Sequence, residues 1–238
     1  MKNVVINFVP KETNIHWIFN GVLNSSGELD YFSESQIEKE LNEILTKVPR
    51  KLQTVADDLW WKIVVTNTRD LEKECNVKGK VYGYTNFNNK EMVIYATKQA
   101  IRESIPHEFA HLLDYILGIS KSKEWEEVYN LEVNSYKLMN SIFTTCDNKT
   151  ECFADAFMAY INYESYLKRN AERTYKVIDN IFRYMDDLLN DRVIKEYKRL
   201  QQLATEENKN IAKESLLESY KNSDFSIFVE ENNFESIW

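Results

Sequence analysis

The chain has 238 residues, of which 43% are hydrophobic and 29% charged, so it can bury a sizeable core. Its formal net charge of −8 repels phosphate backbones, which argues against nucleic acid as a partner. Three cysteines are too few for a disulfide framework, and no apolar run approaches the roughly 20 residues that span a bilayer. Because no signal peptide is visible, the sequence alone predicts a soluble, cytoplasmic protein, and nothing in it indicates an oligomeric state.

The first third of the chain combines strand and helix patterns. Segments rich in Val, Ile, Phe and Trp predict strands. These segments are 3–9, 15–23 and 60–66, followed by the two arms of a hairpin, 81–85 and 92–96. A helix is predicted to begin with Ser33 or Ser35 as its N-cap and to run to about Val48, where Pro49 ends it.

From about Lys98 onward, almost the whole sequence has helical periodicity. The first of these helices ends near Gly118, a residue type that favours a helix C-terminus. Pro106 either lies in the first turn of this helix, with Ser104 as cap, or kinks a longer helix. Further helices are predicted over 124–141, 151–162 and 174–189, and a strand or tail over 225–238.

These patterns predict an α+β fold with two parts that form one unit. Residues 1–118 are expected to make an α+β subdomain, in which a small twisted mixed sheet precedes the first long helix. Residues 119–238 are expected to make a mostly helical C-terminal subdomain.

Two of the three histidines lie four residues apart, in the stretch His107-Glu108-Phe109-Ala110-His111. On a helix this spacing places both imidazoles on one face, about one turn apart, which suits two ligands of a Zn²⁺ ion. Glu108 follows the first histidine and is the candidate general base, because it can take a proton from a zinc-activated water. The third histidine, His16, lies in a strand-like segment and is interpreted as a structural or surface residue.

The third ligand separates the subclasses of such zinc sites. A third histidine six residues after His111 is excluded, because Leu117 occupies that position. Glu132 and Glu151 are the alternatives, and Glu151 is favoured because Asp155 follows it one helical turn later. One carboxylate of this pair can bind zinc while the other accepts a hydrogen bond from the free N–H of a ligand histidine.

Two stretches of the chain resemble the catalytic domain of anthrax lethal factor and the related clostridial Pro-Pro endopeptidases. They are His107-Glu108-Phe109-Ala110-His111-Leu112-Leu113-Asp114-Tyr115 and Glu151-Cys152-Phe153-Ala154-Asp155-Ala156-Phe157. The resemblance extends more loosely over 81–186. It implies a zincin-like (gluzincin) fold and a zinc-dependent endopeptidase. It implies that His107, His111 and Glu151 are the zinc ligands and that Glu108 is the general base. It also implies that Asp155 accepts a hydrogen bond from a ligand histidine.

The resemblance also implies a protein or peptide substrate bound as an extended strand along the 81–96 hairpin, and it implies secretion. The family has a catalytic tyrosine seven residues before the glutamate ligand, and this chain has Thr144 at that position. If the loop differs, Tyr136 or another tyrosine is the substitute. Loss of one oxyanion donor typically lowers the rate by ~10²–10³. The alternative function is therefore a weak or inactive zinc-binding domain that docks a partner protein.

Overall fold

The computed structural model describes residues 2–8, 15, 17–23, 34–76, 81–138, 148–191, 194–195 and 198. The chain groups into two compact units, of which the first ends at Phe109 and the second begins at Ala110. The first unit contains a sheet and helices, and the described part of the second is helical, so the predicted α+β class is confirmed. The predicted subdomain ranges 1–118 and 119–238 stay a prediction.

The first unit is built on a five-stranded mixed sheet. Its strands are β1 (Lys2–Phe8), β2 (Trp17–Leu23), β3 (Lys62–Thr66), β4 (Gly83–Asn86) and β5 (Glu91–Tyr95). The spatial order is β1-β2-β3-β5-β4. The outer pairs β1/β2 and β4/β5 are antiparallel, whereas β2/β3 and β3/β5 are parallel. Strand β4 therefore lies at one edge of the sheet, which leaves its outer backbone groups facing away from β5.

The central strands bury both of their faces. Val64 of β3 and Val93 of β5 lie on one face and pack with Leu71. Ile94 lies on the opposite face, beside Gly83 and Ser104. Alternate residues of a strand point to opposite faces, so burial on both faces requires a continuous apolar run. This explains the uninterrupted apolar stretches that predicted these strands.

Four helices begin in the first unit. They are α1 (Glu34–Leu45), α2 (Arg50–Asp58), α3 (Leu71–Cys75) and α4 (Lys98–Leu117). The sequence analysis predicted α1 and α4 but missed α2 and α3. Helix α2 follows Pro49 and buries Gln53, whose side-chain amide donates to the carbonyls of Leu45 and Val48 at 2.7 and 2.9 Å. This polar contact holds α2 against the end of α1, a tertiary effect that no local pattern reveals.

Helix α4 begins at Lys98, eight residues before Pro106. Pro106 lies in its interior and Ser104 does not cap it, so the longer of the two predicted helices is the observed one. Its end agrees with the prediction, because Gly118 is in the left-handed region at φ 69°. The N–H of Gly118 donates to the carbonyl of Asp114 at 2.7 Å, which closes the last turn.

The described part of the second unit consists of a 3₁₀ turn and four further helices. They are the turn Ile119–Lys121, then α5 (Lys123–Leu138), α6 (Lys149–Asn170), α7 (Glu172–Arg183) and α8 (Met185–Leu188). Helix α6 continues past a kink at Tyr163 well beyond its predicted end, and the predicted helix 174–189 is divided between α7 and α8. Trp125 of α5 packs edge-on against Phe153 of α6, with ring centroids 5.3 Å apart. In the ranges that the structure describes, no helix is long and apolar enough to cross a membrane.

Helix α2 ends in a Schellman motif that has a tryptophan at the glycine position. The N–H of Trp60 donates to the carbonyl of Asp57 at 2.8 Å, and that of Trp61 to Ala56 at 2.9 Å. Trp60 has φ 67°, and 84% of the residue is exposed. A left-handed conformation costs a residue with a Cβ roughly 1–2 kcal/mol, and the exposed indole recovers little of it through burial. The predicted strand 60–66 consequently begins only at Lys62.

We expect Trp60→Gly to raise the free energy of unfolding by about 0.5–1 kcal/mol, since glycine relieves the left-handed strain but adds entropy to the unfolded chain. Urea denaturation followed by circular dichroism measures this change. Trp60→Ala is the matched control, because it removes the indole and keeps the Cβ. If Trp60→Gly were no more stable than Trp60→Ala, the strain at this position would be negligible.

Candidate metal centre

Helix α4 positions the two histidines of the predicted motif. His107 and His111 are one turn apart on this helix, and both are partly buried. The core residues Phe109, Leu112 and Leu113 fix the rotation of the helix, because each is fully buried. The positions of the two imidazoles are therefore set by a packed helix rather than by a loop.

Glu151 approaches His111 from the first turn of helix α6. Asn148 caps that helix, and its side-chain oxygen accepts a hydrogen bond from the N–H of Glu151 at 3.0 Å. The carboxylate oxygen Oε1 of Glu151 lies 3.6 Å from Nε2 of His111. A carboxylate in the first turn is also favoured by the positive end of the helix dipole. The adjacent Cys152 is buried and disulfide-bonded, which adds a covalent restraint beside Glu151.

The three predicted ligands come together. One ligand atom from each of His107, His111 and Glu151 lies within 4.8 Å of the others. Two imidazoles and one carboxylate suit a divalent transition metal, and three protein ligands leave a coordination position open for water or substrate. The side chains present therefore fit the metal that the motif predicts.

A chain of hydrogen bonds ties the C-terminal part of α4 to the start of α6. Asp114 accepts two bonds from Ser120, from its N–H at 2.6 Å and from its hydroxyl at 2.7 Å. The Ser120 hydroxyl lies 3.1 Å from that of Thr150, the residue before Glu151. Burial raises the pKa of Asp114, while the bonds from Ser120 act against this rise. The sequence analysis missed this chain, because its members lie in three separate segments.

Trp125 of α5 supports the same end of α6. Its indole N–H donates to the carbonyl of Lys149 at 2.9 Å, and its ring is fully buried. Together with the Asn148 cap, this bond fixes the turn from which Glu151 projects. Glu151, the predicted third ligand, is thus positioned by the contacts of its own helix turn.

Glu108 lies on α4 beside the first histidine and is almost completely buried, with 3% of the residue exposed. Its Oε2 accepts a hydrogen bond from the hydroxyl of Thr85 on β4 at 2.7 Å. A buried carboxylate needs such a donor, because an unpaired buried charge is costly. Thr85 was predicted only as a strand residue, and no sequence signal marked it as a partner of the candidate base.

Glu132, the alternative third ligand, has a different role. Its carboxylate accepts hydrogen bonds from the N–H groups of Arg173 and Thr174 at 3.1 and 3.0 Å, and from the Thr174 hydroxyl at 2.7 Å. These groups lie at the start of α7, so Glu132 caps that helix from α5. It does not belong to the cluster that His107 and His111 form with Glu151.

The remaining predicted residues are less directly placed. Asp155 lies on α6 one turn after Glu151, and only 3% of it is exposed. Its bond to a ligand histidine stays a prediction. His16, Thr144 and the side chain of Tyr136 lie outside the described residues.

A sequence model of the family described as "Anthrax toxin lethal factor, N- and C-terminal domain" matches residues 30–181, which is more than half of the chain. The chain belongs to this family. No curated protein matches the sequence. Among solved structures, the PRO-PRO endopeptidase PPEP-2 from Paenibacillus alvei is similar, with 18% identity and a TM-score of 0.48. That alignment covers 68% of this chain and 96% of the chain of PPEP-2.

The resemblance to the lethal factor family that the two motifs predicted is thereby confirmed. Membership of this family, with a cluster of His107, His111 and Glu151 that could hold a metal ion, makes the chain a metallopeptidase, a hydrolase of peptide bonds. The match begins before α1 and ends within α7, so it includes both helices that carry the clustered side chains. The predicted enzyme class is confirmed with the family.

We expect Glu132→Ala to lower the free energy of unfolding by about 1–2 kcal/mol, because it removes the cap of α7 and leaves the buried Thr174 hydroxyl without this acceptor. Glu132→Gln retains one carbonyl oxygen as acceptor and should lose less. Urea denaturation of both variants measures the difference. Equal stability of Glu132→Ala and wild type would contradict the capping role.

Proposed function

We propose that this chain is a zinc-dependent endopeptidase. The observation that carries the proposal is the convergence of His107, His111 and Glu151 within 4.8 Å, with Glu108 on the same helix as the two histidines. In a tetrahedral zinc site, donors about 2.0–2.2 Å from the ion lie about 3.4 Å apart. The separation of 3.6 Å between His111 Nε2 and Glu151 Oε1 is close to that value.

Each of these side chains has a defined part in peptide hydrolysis. His107, His111 and Glu151 would hold the ion, which when bound supplies a Lewis acid at this position. Glu108 takes a proton from the attacking water and returns it to the amine that leaves. Its burial keeps bulk water from competing for the carboxylate, and Thr85 holds one of its oxygens. Asp155 would accept the free N–H of a ligand histidine and so fix the orientation of that ring.

The substrate is proposed to bind as an extended strand along β4. This strand is at the edge of the sheet, and its four residues are all partly exposed. An extended peptide can add to such an edge through main-chain hydrogen bonds. Because Thr85 of β4 contacts Glu108, a peptide on this edge passes close to the general base.

A second candidate function rests on Thr144, which stands where the family has its catalytic tyrosine. If the oxyanion lacks that donor, the chain would bind zinc and dock a partner protein with little or no cleavage. A screen of a broad peptide library distinguishes the two functions. An endopeptidase yields new peptide termini, whereas a docking domain retains intact peptides.

The first test of the proposal is the zinc content of purified variants. We expect about one zinc per chain in wild type. Glu151→Ala should lose most of it, because two histidines alone hold zinc weakly. Glu132→Ala is the matched control, since this variant loses a partly buried glutamate outside the cluster and should keep its zinc. Zinc retained in Glu151→Ala, or absent from reconstituted wild type, would refute the three-ligand site.

The second test concerns the general base. We expect Glu108→Gln to lower kcat by at least ~10²-fold, because the amide cannot accept the proton, while zinc stays bound. Cleavage of a substrate taken from the library screen and zinc content are measured on the same preparations. A homogeneous Glu108→Gln protein that cleaves at the wild-type rate would exclude this mechanism.

A further inference from the structure

We infer that Thr85 is the residue that positions the general base, and that Gly83 sets the distance at which it does so. The inference deepens the proposed function and depends on it, since it assigns a role in the same site. Two contacts between strand β4 and helix α4 carry it. Both contacts lie in the first compact unit.

The first contact is the hydrogen bond from the Thr85 hydroxyl to Oε2 of Glu108, at 2.7 Å. A hydrogen bond to a carboxylate is shorter and stronger than one between neutral groups, so it restricts rotation of the carboxylate plane. The bond occupies Oε2 and thereby directs the other oxygen, Oε1, to accept the proton of water. Thr85 does not touch the substrate in this role and acts through Glu108.

The second contact is the close approach of Gly83 to Ser104. A Cβ built on Gly83 would lie 2.7 Å from the Cβ of Ser104 and 3.1 Å from Cδ1 of Ile94. The first of these separations is too short for two carbon atoms, so any larger residue would force β4 away from α4. Glycine at position 83 therefore permits the separation that the hydrogen bond of Thr85 requires.

The two contacts have matching spacings. Gly83 and Thr85 are two residues apart on a strand, which corresponds to about 6.6 Å and places them on the same face. Ser104 and Glu108 are four residues apart on a helix, which corresponds to about 6 Å along one face. Strand β4 and helix α4 thus run side by side with matching spacing, so that Gly83 meets Ser104 and Thr85 meets Glu108.

The opposite face of β4 is held as well. The Tyr84 hydroxyl donates to Oε2 of Glu74 at 2.5 Å, and Arg69 bonds both Tyr84 and Glu74. Burial, followed by the bond to Glu74, raises the pKa of Tyr84 to about 12, so the phenol stays protonated at neutral pH. These contacts fix β4 from the side of α3 while Thr85 faces α4. Strand β4, the edge proposed to bind substrate, therefore also holds the carboxylate of Glu108, the proposed general base.

The test compares Thr85→Val, which has the same shape without the hydroxyl, with Thr85→Ser, which keeps the hydroxyl. We expect Thr85→Val to lower kcat by about tenfold and to change KM less than twofold, with zinc content unaltered. Thr85→Ser should recover most of the wild-type kcat. Wild-type kcat in Thr85→Val, no recovery in Thr85→Ser, or a rise in KM alone would each overturn the inference.

A second measurement needs no activity and separates this inference from the proposed function. Crystal structures of the zinc-loaded wild type and both Thr85 variants show the orientation of the Glu108 carboxylate. We expect the same orientation in wild type and Thr85→Ser and a rotated carboxylate in Thr85→Val. An unchanged orientation in Thr85→Val would overturn the role of Thr85. Zinc-loaded wild type that cleaves no peptide would instead overturn the proposed function.

Gly83→Ala tests the spacing independently. We expect this variant to lose about as much kcat as Thr85→Val, because the added methyl group displaces β4 from α4. Ser104→Gly removes the Cβ that the methyl group meets, so the double variant Gly83→Ala/Ser104→Gly should regain kcat relative to Gly83→Ala. Full activity in Gly83→Ala, or no gain in the double variant, would contradict the assigned role of Gly83.

Discussion

The geometry of helix α4 is the constraint on which the candidate centre depends. A spacing of four residues brings two imidazoles to one face, and the intervening Glu108 is directed to β4. The same helix carries Phe109, Leu112 and Leu113 in the core, so its rotation about its own axis is set by apolar packing. A change of rotation would expose these side chains and misplace the imidazoles together. The packing of α4 therefore also sets the positions of His107 and His111.

Glu151, the predicted third ligand, is held by a different set of forces. Glu151 projects from a helix terminus, where Asn148, Thr150 and the carbonyl of Lys149 each have a hydrogen bond that does not involve the ligand carboxylate. Buried polar groups that are all paired define one arrangement and disfavour others. The first turn of α6 therefore has one defined arrangement, which would lower the entropy lost if Glu151 binds a metal.

Much of the centre follows from the sequence because its information is local. The histidine pair and Glu108 lie within one and a half helical turns, and Glu151 with Asp155 repeats the same periodicity. Glu132 could not be set aside in the same way. Its partners, the N–H groups at the start of α7, lie about 40 residues away, and only the fold shows that they meet its carboxylate.

The features of the fold that the sequence did not predict depend on contacts between distant segments of the chain. In the sheet, β5 lies between β3 and β4, so the order of the strands differs from their order in the sequence. Hydrophobic periodicity does not predict such an order. Helix α3 is short and was missed, although the side chain of its N-cap residue, Asp70, accepts a hydrogen bond from the N–H of Lys73. The contact of Thr85 with Glu108 joins residues 23 positions apart. Local patterns predict such elements poorly, because tertiary contacts decide them.

The shortness of β4 has a consequence for selectivity and for self-association. An edge strand is a template on which any extended chain can pair, including a second copy of the same protein, and short edges limit this risk. Four residues present the outward backbone groups of only about two of them, so a peptide paired with this edge would gain few main-chain bonds. Main-chain pairing alone would hold most sequences equally weakly. If a peptide pairs with this edge, discrimination among peptides would have to come from their side chains.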